Sequence, residues 1–179
     1  MNYYIADTHF GHENIIRISH RPFSSIQEMD ETLIKNWNKV VKPTDDVYIL
    51  GDLAYKGKDP DSYIRKLNGR KHLITGNHDG RITGNPDCRK LFVEIRDMKT
   101  ITDGGQKIVL CHYPMVEWDG YFRGVLHFYG HVHNNYENQT CKYLQTEKKA
   151  FNVGVDMPYI DFTPRTLKEI ISGRESSKY

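Results

Sequence analysis

The chain has 179 residues, of which 38% are hydrophobic and 27% charged, with a net charge of +2 and a pI of about 8.3. That composition excludes a disordered chain, and the near-neutral charge announces neither a nucleic-acid nor a membrane partner. No apolar run approaches the roughly 20 residues of a transmembrane helix, and the start Met1-Asn2-Tyr3-Tyr4-Ile5 lacks the basic-then-apolar order of a signal peptide.

The three cysteines, Cys88, Cys111 and Cys141, are far apart and odd in number. They fit neither a disulfide framework nor a zinc-finger spacing, and are the usage expected in a reducing cytoplasm. With no internal repeat or linker, a single domain over residues 1–179 is expected.

In chain order, Tyr3 to Ala6 is a short β-prone run without polar alternation, as in a strand buried on both faces, and it runs into Asp7-Thr8-His9. Ser25 and Glu28 predict a capping box for a helix with Ile26, Met29, Leu33, Trp37 and Val40 on one face, stopped by Lys42-Pro43. A second apolar run, Val47 to Leu50, ends in Gly51-Asp52. Asp59-Pro60 opens a further helix through Tyr63, Ile64 and Leu67, closed by Asn68-Gly69. Leu73-Ile74 then gives way to Gly76-Asn77-His78-Asp79, whose Gly-Asn and Asp-Gly pairs also read as a turn.

Residues 81–90 read as a loop or short helix. Leu91 to Ile101 and Gln106 to Cys111 are strand-like runs joined at Asp103-Gly104-Gly105, and the second ends in His112. The aromatic, glycine-bearing stretch 115–124 reads as a loop, a lid or a contact between copies. Val125 to Tyr129 runs into Gly130-His131-Val132-His133. Residues 150–162 read as strand and turn, Thr163-Pro164 caps a last helix through Leu167, Ile170 and Ile171 that ends at Gly173, and the tail from Arg174 to Tyr179 is expected to be mobile.

The same event recurs along the chain: a short strand ends and a carboxylate, amide or imidazole follows. In open α/β sheets ligands bind outside the carboxyl ends of the strands, so these endings can face one crevice. Five of the nine histidines fall there. One histidine after a strand is ordinarily a surface or satisfied core residue, but the repetition argues for a shared site. Its donors are oxygen and imidazole without thiolate, which suits Mn, Fe, Zn, Ni or a similar ion. Three to four ligands serve one ion, so the set suggests two divalent ions, the arrangement that clamps the attacking and leaving oxygens of a phosphoryl displacement.

In order, Asp7-x-His9, Gly51-Asp52, Gly76-Asn77-His78-Asp79, His112 and Gly130-His131-x-His133 resemble the motif set of the calcineurin-like metallophosphoesterases, in the small prokaryotic or phage type. The resemblance implies a four-layer α-β-β-α sandwich of two mixed sheets flanked by helices, with the site at its rim. It implies that Asp7, His9 and His133 hold one metal, that Asn77, His112 and His131 hold the second, and that Asp52 bridges them. A hydroxide shared by the ions would be the nucleophile, with His78 as the acid at the leaving oxygen and Asp79 hydrogen-bonded to His78.

After Gly51-Asp52 the chain continues Leu-Ala-Tyr-Lys-Gly without the arginine of the protein phosphatases, and Asp79 stands where they carry glutamate. The forms present are more like those of bacterial, archaeal or phage phosphodiesterases and small phosphatases. A phosphoester substrate is therefore expected, with a nucleotide among the candidates, and a long nucleic acid is not.

Candidates for reading substrate are His12, which can instead cap the segment from Glu13, and Arg17, Arg21, Arg81 and Arg123, each of which can equally be a solvated surface group. Tyr113, Trp118, Tyr121 and Phe122 can stack on a base or simply pack under the loop. The competing readings are a catalytically weak or inactive scaffold on the same fold, and a nuclease. His78 disfavours the scaffold, and the near-neutral charge disfavours a long nucleic-acid track.

Overall fold

The computed structural model describes residues 1–55, 59–137 and 139–176. Within them, β1 (Asn2–Ile5), β2 (Asp46–Leu50), β3 (Arg70–Ile74) and β4 (Glu94–Arg96) form one sheet in that order, every pair parallel. A second sheet contains β5 (Met98–Asp103), β6 (Gln106–Cys111), β7 (Leu126–Tyr129) and β8 (Ala150–Asn152). Here β5 and β6 make an antiparallel hairpin, while β6, β7 and β8 pair parallel. The two four-stranded sheets with their flanking helices form the sandwich expected from the motif set, and among the named strands antiparallel pairing occurs in that hairpin.

Strand side chains alternate between faces, and the burial follows this period of two. Tyr3, Ile5, Val47, Ile49 and Leu73 face an outer core filled by Met29, Leu33 and Trp37 of α2 (Ile26–Val40), together with Tyr63, Ile64, Ile82 and Cys88. Their neighbours Tyr4, Ala6, Tyr48, Leu50 and Ile74 face the second sheet, meeting Ile108, Leu110, Phe128 and Phe151. On the far face of that sheet, Val109, Tyr129 and Ala150 pack against Trp118, Val125 and Leu144 of α6 (Gln139–Thr146).

The remaining helices are short: α1 (Glu13–Ile18), α3 (Asp61–Ile64), α4 (Gly80–Thr83) and α5 (Pro86–Arg89). The stretch 81–90 is thus mostly helical, interrupted at Gly84 and Asn85, where Asn85 Oδ1 accepts the N–H of Asp87 and recaps the chain. Ser25 caps α2 as the capping-box pattern predicts, its Oγ accepting from Glu28 N–H, while the Glu28 carboxylate reaches back to Ser24.

Three expectations change. The run Leu91 to Ile101 is not one strand: it is divided at Asp97, with β4 in the first sheet and β5 in the second, so this segment carries the chain between sheets. The last helix, α7 (Leu167–Ser176), is capped by the reciprocal Thr166–Glu169 pair rather than by Thr163, and it continues through Gly173. Arg174 lies inside it, its guanidinium spent on the carbonyls of Ala150, Leu144 and Glu147; the tail beyond Ser176 lies outside the described residues. Helix α6 was not predicted, because Cys141 and Leu144 are its only buried residues in a polar stretch. Among the described residues, no helix is long and apolar enough to cross a membrane.

Parallel pairing brings the carboxyl ends of β1, β2 and β3 to one edge, where backbone bonds tie neighbouring strand endings together within each sheet and, between Ala6 and Val153, join the two sheets. Asp7 N–H donates to Gly51 O, His9 N–H to Asp52 O, Ala6 N–H to Val153 O and Gly130 N–H to His112 O.

Candidate metal centre

At this edge Asp7, His9, Asp52, His131 and His133 all have φ between 50° and 72°. Left-handed backbone costs a side-chain-bearing residue of order 1 kcal/mol or more and persists only where surrounding structure imposes it. Each of these residues follows its strand end directly or within a few residues, and the twist turns its side chain inward. Glycine makes the crowding possible: a Cβ on Gly76 would lie 2.4 Å from Asp52 Oδ1, and one on Gly51 would lie 2.4 Å from His112 Nδ1.

The side chains from five strand endings converge. Asp7, His9 and His133 offer ligand atoms that lie within 4.8 Å of one another, as do Asp7, Asp52 and His112. Asp52 Oδ2 stands 3.6 Å from both His9 Nε2 and His112 Nε2, and 4.0 Å from His78 Nε2. Asn77 Oδ1 lies 3.1 Å from His112 Nε2 and 3.0 Å from His131 Nδ1.

This geometry fits cations. His112 Nδ1 donates to the Leu50 carbonyl at 2.7 Å, leaving a lone pair on Nε2 that faces the oxygens of Asn77 and Asp52. Among the described residues both ring nitrogens of His9 are buried without a hydrogen-bond partner, a costly state that a bound ion would relieve. Burial holds the His9 imidazole well below its usual pKa, so it stands as a neutral donor, with His133 and Arg21 adding to the effect. Burial pushes the Asp7 carboxyl up, opposed by His133 and His112.

His78 sits at the mouth, its side chain about a third exposed, while its backbone N–H donates to Asp52 Oδ1 at 2.8 Å. Asp79 does not serve it. The Asp79 carboxylate is buried and accepts the backbone N–H groups of Asp52 (2.9 Å), Leu53 (3.0 Å) and Gly76 (2.8 Å). Nearby main-chain donors take its oxygens, so the expected bond to His78 is not formed. Burial pushes this carboxyl up to about 6, against three N–H donors that favour the anion.

The substrate candidates divide. Arg21 is buried, its guanidinium committed to Asp156 and to the carbonyls of Asp7 and Thr8, and it is not open to a phosphate. Arg17, Arg81 and Arg123 are exposed, and Arg123 pairs with Asp119 at 3.2 Å. His12 occupies the N-cap position of α1 but makes no capping bond; its ring stacks on Tyr55 at 3.6 Å, and Tyr55 meets His78 edge-on. Trp118 is packing: it is buried, with Nε1 donating to Val125 O. Tyr121 is tied to Glu147, Phe122 is exposed, and the half-exposed Tyr113 lies against the His131 ring at 4.7 Å.

Sequence reading missed Asp156, Asn152 and Tyr55. Asp156 Oδ2 is 2.7 Å from His133 Nδ1, and Asn152 Nδ2 donates to the His133 carbonyl. The available signal was slight: an Asn-Val-Gly-Val-Asp stretch after a short apolar run, much like the other strand endings.

No family model matches the chain. It is 37% identical to the uncharacterised protein MJ1445 of Methanocaldococcus jannaschii over 98% of this chain and 92% of that protein. It is 30% identical to the gene 66 protein of Mycobacterium phage L5 over 74% of this chain and 77% of that protein. Among solved structures, AQ665 of Aquifex aeolicus, a protein of unknown function, superposes with a TM-score of 0.73 at 33% identity, covering 96% of this chain and 98% of that one. The chain therefore belongs to one family with MJ1445 and the mycobacteriophage L5 gene 66 protein.

Proposed function

We propose that this protein is a metal-dependent phosphoester hydrolase of the metallophosphoesterase superfamily, acting on a phosphodiester or a small phosphomonoester with two divalent cations. The observation that carries the reading is the convergence of lone pairs on Asp52 Oδ2, which lies 3.6 Å from both His9 Nε2 and His112 Nε2, beside two unpartnered nitrogens of His9. Asp7, His9 and His133 would hold one ion, Asn77, His112 and His131 the other, and Asp52 would serve both. Bound there, divalent ions supply Lewis acidity, lowering the pKa of water and neutralising phosphate oxygens.

The chain's own groups do the rest. Asp52 is held by three bonds: its Oδ1 accepts from His78 N–H, its carbonyl accepts from His9 N–H and its own N–H donates to Asp79. Its second oxygen is thereby aimed between the His9 and His112 rings. His78 combines an exposed ring edge with a position 4.0 Å from Asp52 Oδ2, which suits proton delivery to a departing oxygen. His9, His112 and Asp7 are buried, and the site opens to solvent on the side of Asn77, His78 and His131.

The test is metal analysis of the purified protein together with aryl phosphomonoester, aryl phosphodiester, cyclic nucleotide and oligonucleotide hydrolysis in Mn²⁺, Ni²⁺, Zn²⁺ and Fe²⁺. Metal-dependent turnover of at least one phosphoester is expected. Protein that binds metal yet is inert to the whole panel would overturn the hydrolase and leave the scaffold reading.

A further inference from the structure

Behind His133 lies a buried ion pair with no assigned task. The Arg21 and Asp156 side chains are almost fully excluded from solvent, with Arg21 Nε 2.7 Å from Asp156 Oδ1 and an η nitrogen 3.2 Å from Oδ2. The same guanidinium donates to the Asp7 carbonyl at 2.7 Å and to the Thr8 carbonyl at 2.9 Å. Asp156 Oδ2 in turn accepts from His133 Nδ1 at 2.7 Å. One planar fork thus joins the end of β1 to the segment after β8 and, through Asp156, to the imidazole of His133.

Two consequences follow from the chemistry of these groups. With Nδ1 bonded to a carboxylate, the His133 proton sits on Nδ1, which leaves Nε2 as the lone pair His133 has to offer in its group with Asp7 and His9. Arginine is needed because five donors in a fixed plane can serve a carboxylate and two carbonyls together, which a lysine ammonium cannot. The segment is held close: Val155 N–H donates to Ala6 O, and a Cβ on Gly154 would lie 2.9 Å from Asp7 Oδ2. The fork bonds neither His112, whose Nδ1 donates to the Leu50 carbonyl, nor the ring of His131, which lies against Asn77 Oδ1.

We propose that Arg21 and Asp156 are positioning residues that set the affinity of the Asp7–His9–His133 cation site through the tautomer and placement of His133, and leave the Asn77–His112–His131 site unaffected. This rests on the metal-centre reading above. Asp156→Asn should weaken one of two Mn²⁺ ions by roughly 10–100-fold, as read by calorimetric titration, with the second ion's affinity unchanged. In metal-free protein, long-range ¹H–¹⁵N spectra should show the His133 ring protonated on Nδ1, and Asp156→Asn should abolish that preference. Arg21→Lys, which keeps the charge and loses the fork, should give the same one-site loss, and it stands in if the asparagine variant does not fold.

Equal weakening of both ions, or wild-type affinity at both, would overturn the proposal, as would a wild-type His133 protonated on Nε2. Wild-type protein that binds no cation would instead sink the metal-centre reading, and the metal-free spectra would still decide the role of Asp156.

Discussion

Asp79 accepts the backbone N–H of Asp52 at 2.9 Å, across 27 positions of sequence. With its bonds to Leu53 and Gly76, it ties the loop after β2 to the loop after β3 and so holds Asp52 in place. Asp79→Ala would leave three buried N–H groups unpaired, each costing about 1–3 kcal/mol. A loss of at least about 3 kcal/mol is expected in urea unfolding, accompanied by loss of bound metal. Unchanged stability would refute this tethering role.

Gly76 is required for close approach. A built Cβ falls 2.4 Å from Asp52 Oδ1 and 2.6 Å from Asp52 N, and the backbone there cannot yield. Gly76→Ala should lower the melting temperature by an amount equivalent to roughly 1–3 kcal/mol and reduce metal content. Gly80, in α4, has open space where its Cβ would be. Gly80→Ala should be neutral or stabilising by up to about 1 kcal/mol, making it a control for handling and expression.

His78 touches the proposed reaction without belonging to either group of clustered ligands. His78→Ala is expected to retain metal while turnover of an aryl phosphodiester falls by roughly 10²–10⁴. Equal rates in the variant and the wild type would remove the proton-donor role.

His127 gives a pH dependence away from the centre. It is fully buried, its Nδ1 bonds the Val109 carbonyl, and Met115 N–H donates to its Nε2. Both nitrogens are satisfied only in the neutral ring, and burial lowers its pKa to about 4. Because the folded value lies below the unfolded one of about 6.5, the unfolded chain binds more protons between them. The contribution is complete above pH 6.5 and is lost as pH falls toward 4, up to roughly 3 kcal/mol. Unfolding free energies measured from pH 7.5 to 4 should show this slope, and His127→Gln should flatten it; equal slopes in both would discount His127.

Sequence alone determined which donor groups the chain carries at its strand endings and their order along it. Asp7, His9, Asp52, Asn77, His112, His131 and His133 are legible because each follows a short apolar run directly or within a few residues, and strand periodicity is a local property of neighbouring residues. The helix α2 and the β5-β6 hairpin are legible for the same reason, through a cap and a glycine turn. Only the tertiary structure decided what holds these groups. Asp79 turned from the expected partner of His78 into the tether of Asp52, and Arg21 turned from a candidate phosphate clamp into the buried partner of Asp156, 135 residues away. Which donor a carboxylate or guanidinium takes depends on the groups that folding brings within about 3 Å, and for these two the deciding groups, Asp52 and Leu53 for Asp79 and Asp156 for Arg21, come from distant segments that no local pattern relates.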